Sequence, residues 1–562
     1  MSAADLPVPT GARAQLRALL PSRRDYAELP RTWRGDVLAG VTVGIVALPL
    51  ALAFGVSSGA GAQAGLVTAV VAGLVAAVFG GSHVQVSGPT GAMVVVLAPI
   101  VATRGTGVLA VVCLLAGAIV VAGGVLRLGR AVGMIPWPVI EGFTLGIAVI
   151  ILLQQVPSAV GVDSAGLDSN ALVAAVQAVG QADWSTAWTA VLVVLAVAAV
   201  MLIAPRVHRS LPGSLLAVVL ATVVALLAHL PVETIGVLPS GLPTPTLPSL
   251  DPSLVEGLVG PALTVAALAA IESLLSARVA ASHSDTGPFD ADRELVGQGL
   301  ASIAAGLFGG MPATGAIART AVAVRSGART RLAAIVHALL LLAVVGAAGT
   351  VVARVPLAAL AGVLMVTAVR MVSRRTVTSV VRSSRAGALL FALTAVITVS
   401  VDLVYAVGTG IAVAGLLVLR AMARSAGVHR EAVPGPACPG DDRIAVFRVD
   451  GALFFGAAER ALERVAATRG VAVVILRLSQ IQLLDSTGAQ ALTELVAGLE
   501  RRGVTVLVKG IPDRHLALAT RVGVIDALRH ERHLFDDLDR AVEHARSHLR
   551  RAAVPGGDLA PV

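Results

Sequence analysis

Two segments more than two hundred residues apart carry the same unusual pattern. The first runs Phe79-Gly80-Gly81 and then, after a short extended stretch, Ser87-Gly88-Pro89-Thr90-Gly91-Ala92-Met93. The second runs Phe308-Gly309-Gly310-Met311-Pro312-Ala313-Thr314-Gly315-Ala316-Ile317. In each, an apolar run ends in Phe-Gly-Gly and a Pro/Thr/Gly-rich break opens a short apolar helix. A helix that starts inside a hydrophobic region exposes backbone N–H groups and the positive end of its dipole. In lipid that is tolerated only where protein or a watery cavity surrounds the break. Two such N-termini aimed at one point suit an anion, and Thr90 and Thr314 can add hydroxyl donors. The plainer alternative is that Gly and Pro, common in membrane helices, only permit close packing. The matched recurrence favours a binding site.

Few ionisable residues sit clearly inside apolar runs, where a charge is costly and marks function by default. Glu272 is flanked by Ala270-Ile271 and Ser273-Leu274-Leu275. Arg319 falls about one turn into the second short helix, where a guanidinium could neutralise an anion. Burial pushes a carboxyl toward its protonated form and a nearby Arg pulls it back. Glu272 therefore reads either as a proton-coupling group or as one half of a permanent ion pair with Arg319. Glu141, near the start of another run, either pairs with a loop Arg or acts in transport. The loop from His283 to Glu294 has no metal-ligand spacing and reads as a hydrated loop with helix-capping Asp residues. Far downstream, Asp485-Ser486-Thr487-Gly488 follows a strand and opens a helix. It reads as an N-cap or as a switch, since a phosphate on Ser486 would be welcomed by the helix dipole.

These residues need elements to hold them. The chain has 562 residues, 56% hydrophobic and 14% charged, with a mean hydropathy of +0.86. Soluble proteins are roughly 25% charged, so a cytosolic enzyme and a disordered chain are both excluded. Cys113 and Cys438 are the only cysteines and build neither a disulfide framework nor a zinc or cysteine-nucleophile motif. The spans are expected at 36–57, 62–80, 87–103, 107–126, 133–155, 186–204, 212–230, 260–279, 292–309, 314–326, 331–352, 355–372, 386–401 and 403–421. The two breaks precede spans three and ten, and an odd offset of seven inverts the second copy. Broken segments at matching positions of inverted halves mark a transporter's midplane site.

Charge sets the topology. Residues 1–35 are polar and carry Arg13, Arg17, Arg23, Arg24, Arg31 and Arg34, too long and too charged a stretch for a cleaved signal. Even-numbered loops hold Arg127, Arg130, Arg206, Arg209, Arg325, Arg329, Arg331, Arg370, Arg374, Arg375, Arg382 and Arg385. The longer opposite loops carry Asp163, Asp168, Asp183, Glu233, Asp251 and Glu256. By the positive-inside rule both termini are cytoplasmic. The net charge of +9 belongs to this topology rather than to nucleic acid. The domains expected are a cytoplasmic N-terminal segment (1–35), a membrane domain (36–425), a Pro/Gly linker (426–440), a soluble α/β domain (441–550) and a tail (551–562). In the soluble domain, strands are expected at 444–449, 471–478 and 504–508, with helices near 457–468, 488–502 and 537–551.

Together these residues resemble the SulP family of inorganic-anion transporters, related to the animal anion exchangers and prestin. The resemblance rests on Asp36-Val37-Leu38-Ala39-Gly40 with Ala47-Leu48-Pro49-Leu50-Ala51-Leu52-Ala53, on both breaks, and on Glu294-Leu295-Val296-Gly297-Gln298-Gly299. Asp485–Gly488 looks like the core of a STAS domain. The resemblance implies a polytopic all-α membrane protein of about fourteen spans in a seven-plus-seven inverted repeat, with core and gate domains and a small α/β cytoplasmic STAS domain. It implies a homodimer with STAS contacts, a cytoplasmic regulator of that domain, an inner-membrane location and no cofactor. It places Ser87, Gly88, Pro89, Thr90, Gly91, Ala313, Thr314, Gly315, Ala316 and Arg319 at the anion. Glu272 stands where sodium-coupled bicarbonate transporters of the family have Asp and some proton-coupled members have Glu, which favours a proton over sodium, with Ser276 left as a sodium ligand. Asp485, Ser486 and Thr487 form the regulatory segment.

The function expected is secondary active transport of a small anion, whether sulfate, bicarbonate or a dicarboxylate. It is expected to be proton-coupled and elevator-like. Its competitors are a nucleobase–proton symporter of the same fold, an uncoupled anion conductance, and an anion sensor switched through Ser486. No catalytic constellation marks an enzyme.

Overall fold

A backbone in lipid must satisfy its own hydrogen bonds, so the apolar runs fold as helices. The structure, a computed structural model, describes residues 17–552 apart from 18, 133–134, 164–165, 169, 209–210, 237–240, 250, 401–402, 426 and 456–457. Arg13 and Arg209, invoked above for topology, lie outside the described residues, as do all of 1–16 and the tail beyond 552. The chain divides into two compact units, Met1–Ile411 and Ala412–Val562.

The first unit opens with α1 (Leu29–Ser57), α2 (Ala62–Phe79), α3 (Gly91–Arg104), α4 (Leu109–Val125) and α5 (Trp137–Gln154). It continues with α6 (Ala171–Gln181), α7 (Trp184–Val207), α8 (Gly213–Leu227), α9 (Pro252–His283), α10 (Ala291–Leu307) and the short α11 (Ile317–Arg325). Then come α12 (Leu332–Val352), α13 (Leu357–Met371), α14 (Arg374–Ser383), α15 (Arg385–Ser400) and α16 (Leu403–Ser425), which crosses the unit boundary. Each expected span overlaps one of these helices. The amphipathic α6 and the basic α14 are additional. Nine helices among the described residues are long and apolar enough to cross a bilayer.

Small residues let these helices approach closely. Gly117 on α4 and Gly299 on α10 face each other. A Cβ on Gly117 would lie 2.6 Å from the Gly299 carbonyl oxygen, and one on Gly299 would lie 2.5 Å from that of Gly117. Only hydrogen fits at either position.

The two breaks are not free loops. Ser87–Gly88 (β1) and Thr314–Gly315 (β2) pair antiparallel, Ser87 with Gly315 and Gly88 with Thr314. The chain leaves β1 into α3 and β2 into α11, so both short helices begin within three residues of one two-stranded crossing. The expectation that these spans begin at 87 and 314 is corrected: those residues are extended because they pair across the repeat.

In the second unit a five-stranded sheet runs in the order β3 (Gly427–Glu431), β4 (Ile444–Leu453), β5 (Val473–Leu484), β6 (Thr505–Lys509), β7 (Leu534–Phe535). The β3–β4 pair is antiparallel and the others are parallel. Its helices are α17 (Ala458–Ala466), α18 (Ser486–Arg501), α19 (Asp513–Val522) and α20 (Leu538–Ala552). Side chains alternate across a strand. Ala445, Phe447, Val474, Leu476, Val506 and Val508 bury one face in a core that includes Leu462, Leu492 and Ala519 of α17 to α19. Ile444, Val446, Val473, Ile475 and Leu507 bury the other against Ala541, Val542, Ala545 and Leu549 of α20. Residues 427–431, expected as linker, form an edge strand. The short β7 and the helix α19 were not foreseen.

Candidate functional site

The site grows from the β1–β2 crossing. Ser87, Gly88, Pro89, Thr90, Gly91, Ala313, Thr314, Gly315 and Ala316 are all buried. Gly315 must be glycine: a Cβ there would stand 1.8 Å from Gln85 Nε2 and 3.1 Å from Ser273 Cα. The crossing is pinned to α9 and α11 by hydrogen bonds. The Gly315 N–H donates to Ser273 Oγ at 3.0 Å, the Ala316 N–H to the Val86 carbonyl at 2.9 Å, and the Val86 N–H to Thr320 Oγ1 at 3.1 Å.

Both helix starts lack side-chain caps. Thr90, extended at φ −131°, precedes α3 without capping it, and Ala316 precedes α11 with no side chain able to cap. Helix N-termini normally bind a Ser, Thr, Asp or Asn oxygen. Here the free N–H groups and positive dipole ends are left toward the crossing.

The Thr90 hydroxyl is used elsewhere. Thr90 Oγ1 donates to Glu272 Oε2 at 2.9 Å and Thr314 Oγ1 donates to the same oxygen at 2.8 Å, with the two hydroxyls 3.1 Å apart. One residue from each break thus grips one carboxylate oxygen on α9. In this state the hydroxyl protons of Thr90 and Thr314, expected to add donors for an anion, face Glu272. Ser276, one turn on, meets Thr320 Oγ1 at 3.3 Å. Ser276, expected as a sodium ligand, thus has its hydroxyl beside α11.

Arg319, the third residue of α11, is 2% exposed. Its Nη2 donates to the Pro89 carbonyl, and its Nη1 has no protein partner. A Cβ on Gly88 would lie 2.7 Å from Nη1, so the guanidinium of the second repeat lies against the break of the first. Among the described residues no ion pair joins Arg319 to Glu272. The direct hydrogen-bond partners of Glu272 are the two hydroxyls, and Arg319 acts on it only through its charge at longer range.

Several buried polar residues around the crossing were given no role by the sequence, although Glu294 and Gln298 stood in the family motif. Glu294 Oε2 accepts the Gly81 and Ser82 N–H groups at 2.8 and 3.0 Å, and its Oε1 accepts from Gln85 Nε2 at 2.9 Å. Ser87 Oγ donates to Gln298 Oε1 at 3.0 Å. Glu294 and Gln298, one turn apart on α10, thereby hold the first break from the second repeat. The second break is held from the first repeat by Thr68, in a π-helical turn of α2 (Thr68–Ala72), which accepts the Met311 N–H at 2.7 Å. His337 on α12 is fully buried with neither ring nitrogen partnered. The polar i, i+4 pair in an apolar helix was the available signal for Glu294 and Gln298; a lone His gave none.

Outside the spans, Asp25 receives Arg293 Nη1 and Nη2 at 2.9 and 2.7 Å. Burial raises the Asp25 carboxyl, but Arg293, the Ser22 N–H and the Arg331 charge outweigh it and hold it at about 2. Glu141 accepts from Trp137 Nε1 at 3.0 Å, so a ring N–H rather than a loop Arg meets it. In the loop from 283 to 294, Asp290 caps α10 by accepting the Asp292 and Arg293 N–H groups. In the second unit Asp485 caps α18 through the Gly488 N–H at 2.7 Å and also accepts the Phe455 N–H at 3.2 Å. Ser486 and Thr487 are exposed at the start of that helix.

Comparison with known proteins places this arrangement. The sulfate permease family model matches residues 33–394. The chain belongs to the sulfate permease family. A STAS domain model matches residues 436–541. The putative sulfate transporter YvdB of Bacillus subtilis is 33% identical over 518 residues, covering 90% of this chain and 96% of that protein. The bicarbonate transporter BicA of a Picosynechococcus is 31% identical over 494 residues, covering 83% and 86%. Among solved structures, the transmembrane domain of a cyanobacterial BicA matches with a TM-score of 0.61 at 34% identity, over 67% of this chain and 97% of that one. SLC26A9 matches with a TM-score of 0.81 at 17% identity, over 96% of this chain and 95% of that one, which speaks for the fold alone. The chain is a multi-pass membrane protein of a family of transporters, not enzymes, with a C-terminal STAS domain.

Proposed function

We propose that this protein is a proton-coupled secondary transporter of a small oxyanion, held between the starts of α3 and α11 at the β1–β2 crossing. One observation carries the reading: two uncapped helix N-termini meet beside a buried guanidinium whose Nη1 lacks a protein partner. Exposed N–H groups, dipole ends and an Arg all favour negative charge. The sulfate and bicarbonate named for the relatives are both small oxyanions, and the candidates here are sulfate, bicarbonate and dicarboxylates.

Glu272 supplies the coupling. An anion brought to the crossing repels an ionised carboxylate, so anion and proton bind together and leave together. A protonated Glu272 also releases Thr90 and Thr314, whose hydroxyls can then turn to the anion. The reading includes elevator-like alternating access by a homodimer, cytoplasmic termini at the inner membrane, and regulation through Ser486, whose exposure at the start of α18 suits a phosphate. The division proposed is 1–35, 36–425, 426–440, 441–550 and 551–562, with β3 of the segment 426–440 joining the sheet of the soluble domain.

Uptake into proteoliposomes tests it, with sulfate, bicarbonate and fumarate compared with and without an inward proton gradient. Gradient-stimulated accumulation of one anion is expected. Accumulation of none, with anion binding intact, refutes transport in favour of a sensor.

A further inference from the structure

The soluble unit holds a cluster that anion transport does not use. His544 and His548 lie one turn apart on α20, and His533 ends a short 3-10 turn (Glu531–His533) that leads into β7. One ligand atom from each of the three lies within 4.8 Å of the others. The three ring-centroid separations are 5.5, 5.5 and 4.8 Å. We propose that His533, His544 and His548 form a binding site for a zinc-class divalent transition-metal ion, with water or an exchangeable ligand in the fourth position.

The spacing carries the argument. His544 Nε2 and His548 Nε2 share a hydrogen bond at 3.2 Å, which an ion between them would replace. Two nitrogens each about 2.05 Å from a tetrahedral Zn2+ stand about 3.3 Å apart, so this pair already has the required separation. The third ring must move inward by about 1.5 Å, within reach of side-chain rotation. His533 is 4% exposed and its Nδ1 has no hydrogen-bond partner, a costly state for a buried polar atom. A metal at one ring nitrogen commonly sets the tautomer of the other.

The chemistry agrees. Imidazole donors suit Zn, Cu, Ni and Co over Mg or Ca. Each imidazole binds a metal through a ring nitrogen that carries no proton. The nearby cations are otherwise engaged: Arg529 pairs with Glu500 at 3.1 Å and Arg551 donates to Ser547. His530, ring 6.3 Å from His533, accepts the Arg532 N–H through Nδ1 and stands outside the cluster. A bound ion would tie α20 to the turn before β7, fixing the last helix on its sheet. That makes the STAS unit responsive to metal, independently of the anion site.

The test uses the full chain in detergent, with its affinity tag removed and stripped with a chelator. Calorimetric titration with Zn2+ should show one ion per chain, and Co2+ should give the intense visible band of a tetrahedral site. His544→Ala and His548→Ala should each weaken Zn2+ binding at least about 100-fold, whereas His429→Ala and Cys438→Ser should leave it unchanged. X-ray absorption of the zinc-loaded wild type should show three imidazoles, a readout that does not depend on any variant folding. Absence of stoichiometric binding, fewer than three imidazoles, or unchanged affinity in both α20 variants would overturn the proposal.

Discussion

Arg319→Met separates the roles of charge and packing at the crossing. Met approximates the volume of the buried side chain and removes its charge. In the ligand-free protein Arg319 spends one donor on the Pro89 carbonyl and leaves Nη1 without a protein partner. Losing the Pro89 bond costs about 1–3 kcal/mol. Removing the buried charge returns its desolvation cost of several kcal/mol, less the attraction to Glu272 that is lost with it, so the variant's own stability should be about unchanged. Anion binding should weaken. One charge-assisted hydrogen bond is worth about 1.5–3 kcal/mol, equivalent to roughly a 10- to 150-fold loss of affinity. Thermal unfolding with and without anion reads both effects. At an anion concentration of about 100 times the wild-type Kd, the wild type gains about 2.7 kcal/mol; a variant binding 100-fold more weakly gains only about 0.4. Anion stabilisation equal to wild type, or a ligand-free protein destabilised by more than about 3 kcal/mol, would refute the reasoning. Either result would make Arg319 a structural clamp on β1.

Other perturbations address the parts around it. Glu272→Gln keeps one acceptor for Thr90 and Thr314 but cannot ionise. Gradient-driven uptake should be abolished while anion–anion exchange persists, and undiminished acid-stimulated uptake would exclude Glu272 as the coupling group. Gly315→Ala drives a methyl into Gln85 and the backbone of Ser273, so it should cost about 1–3 kcal/mol and abolish anion binding in folded protein; normal binding would show that the crossing is not the site. Asp25, held at about 2 by its arginines, contributes about 2 kcal/mol that is present above pH ~3.8 and lost as pH falls through about 2. Asp25→Asn should cost about 3–5 kcal/mol at neutral pH and flatten that acid limb in an unfolding series. Asp485→Ala removes a cap and should lower the stability of the soluble unit by about 1 kcal/mol, with intrinsic anion affinity unchanged in a binding titration.

Periodicity and composition in the chain are enough to show where the helices lie, because a lipid-facing backbone leaves one regular solution and apolar length reports it. They also locate the two breaks, since Gly, Pro and Thr inside such runs are locally conspicuous. Glu272 and Arg319 stand out for the cost of charge in an apolar run. What those residues touch was not legible. That Ser87 pairs with Gly315, that Thr90 and Thr314 share one oxygen of Glu272, and that Arg319 crosses to Pro89 depend on contacts between residues 42 to 230 positions apart. Glu294 looked like part of a motif and proved to hold the first Phe-Gly-Gly turn from the second repeat. The strand at 427–431 was hidden by its Pro/Gly-rich surroundings and forms only because β4 offers it an edge. Local backbone and solvation demands are written in the chain's own order, so the sequence by itself determined the elements and their unusual points. Hydrogen bonds between distant buried groups are decided by which surfaces close on one another, and only the tertiary structure decided those.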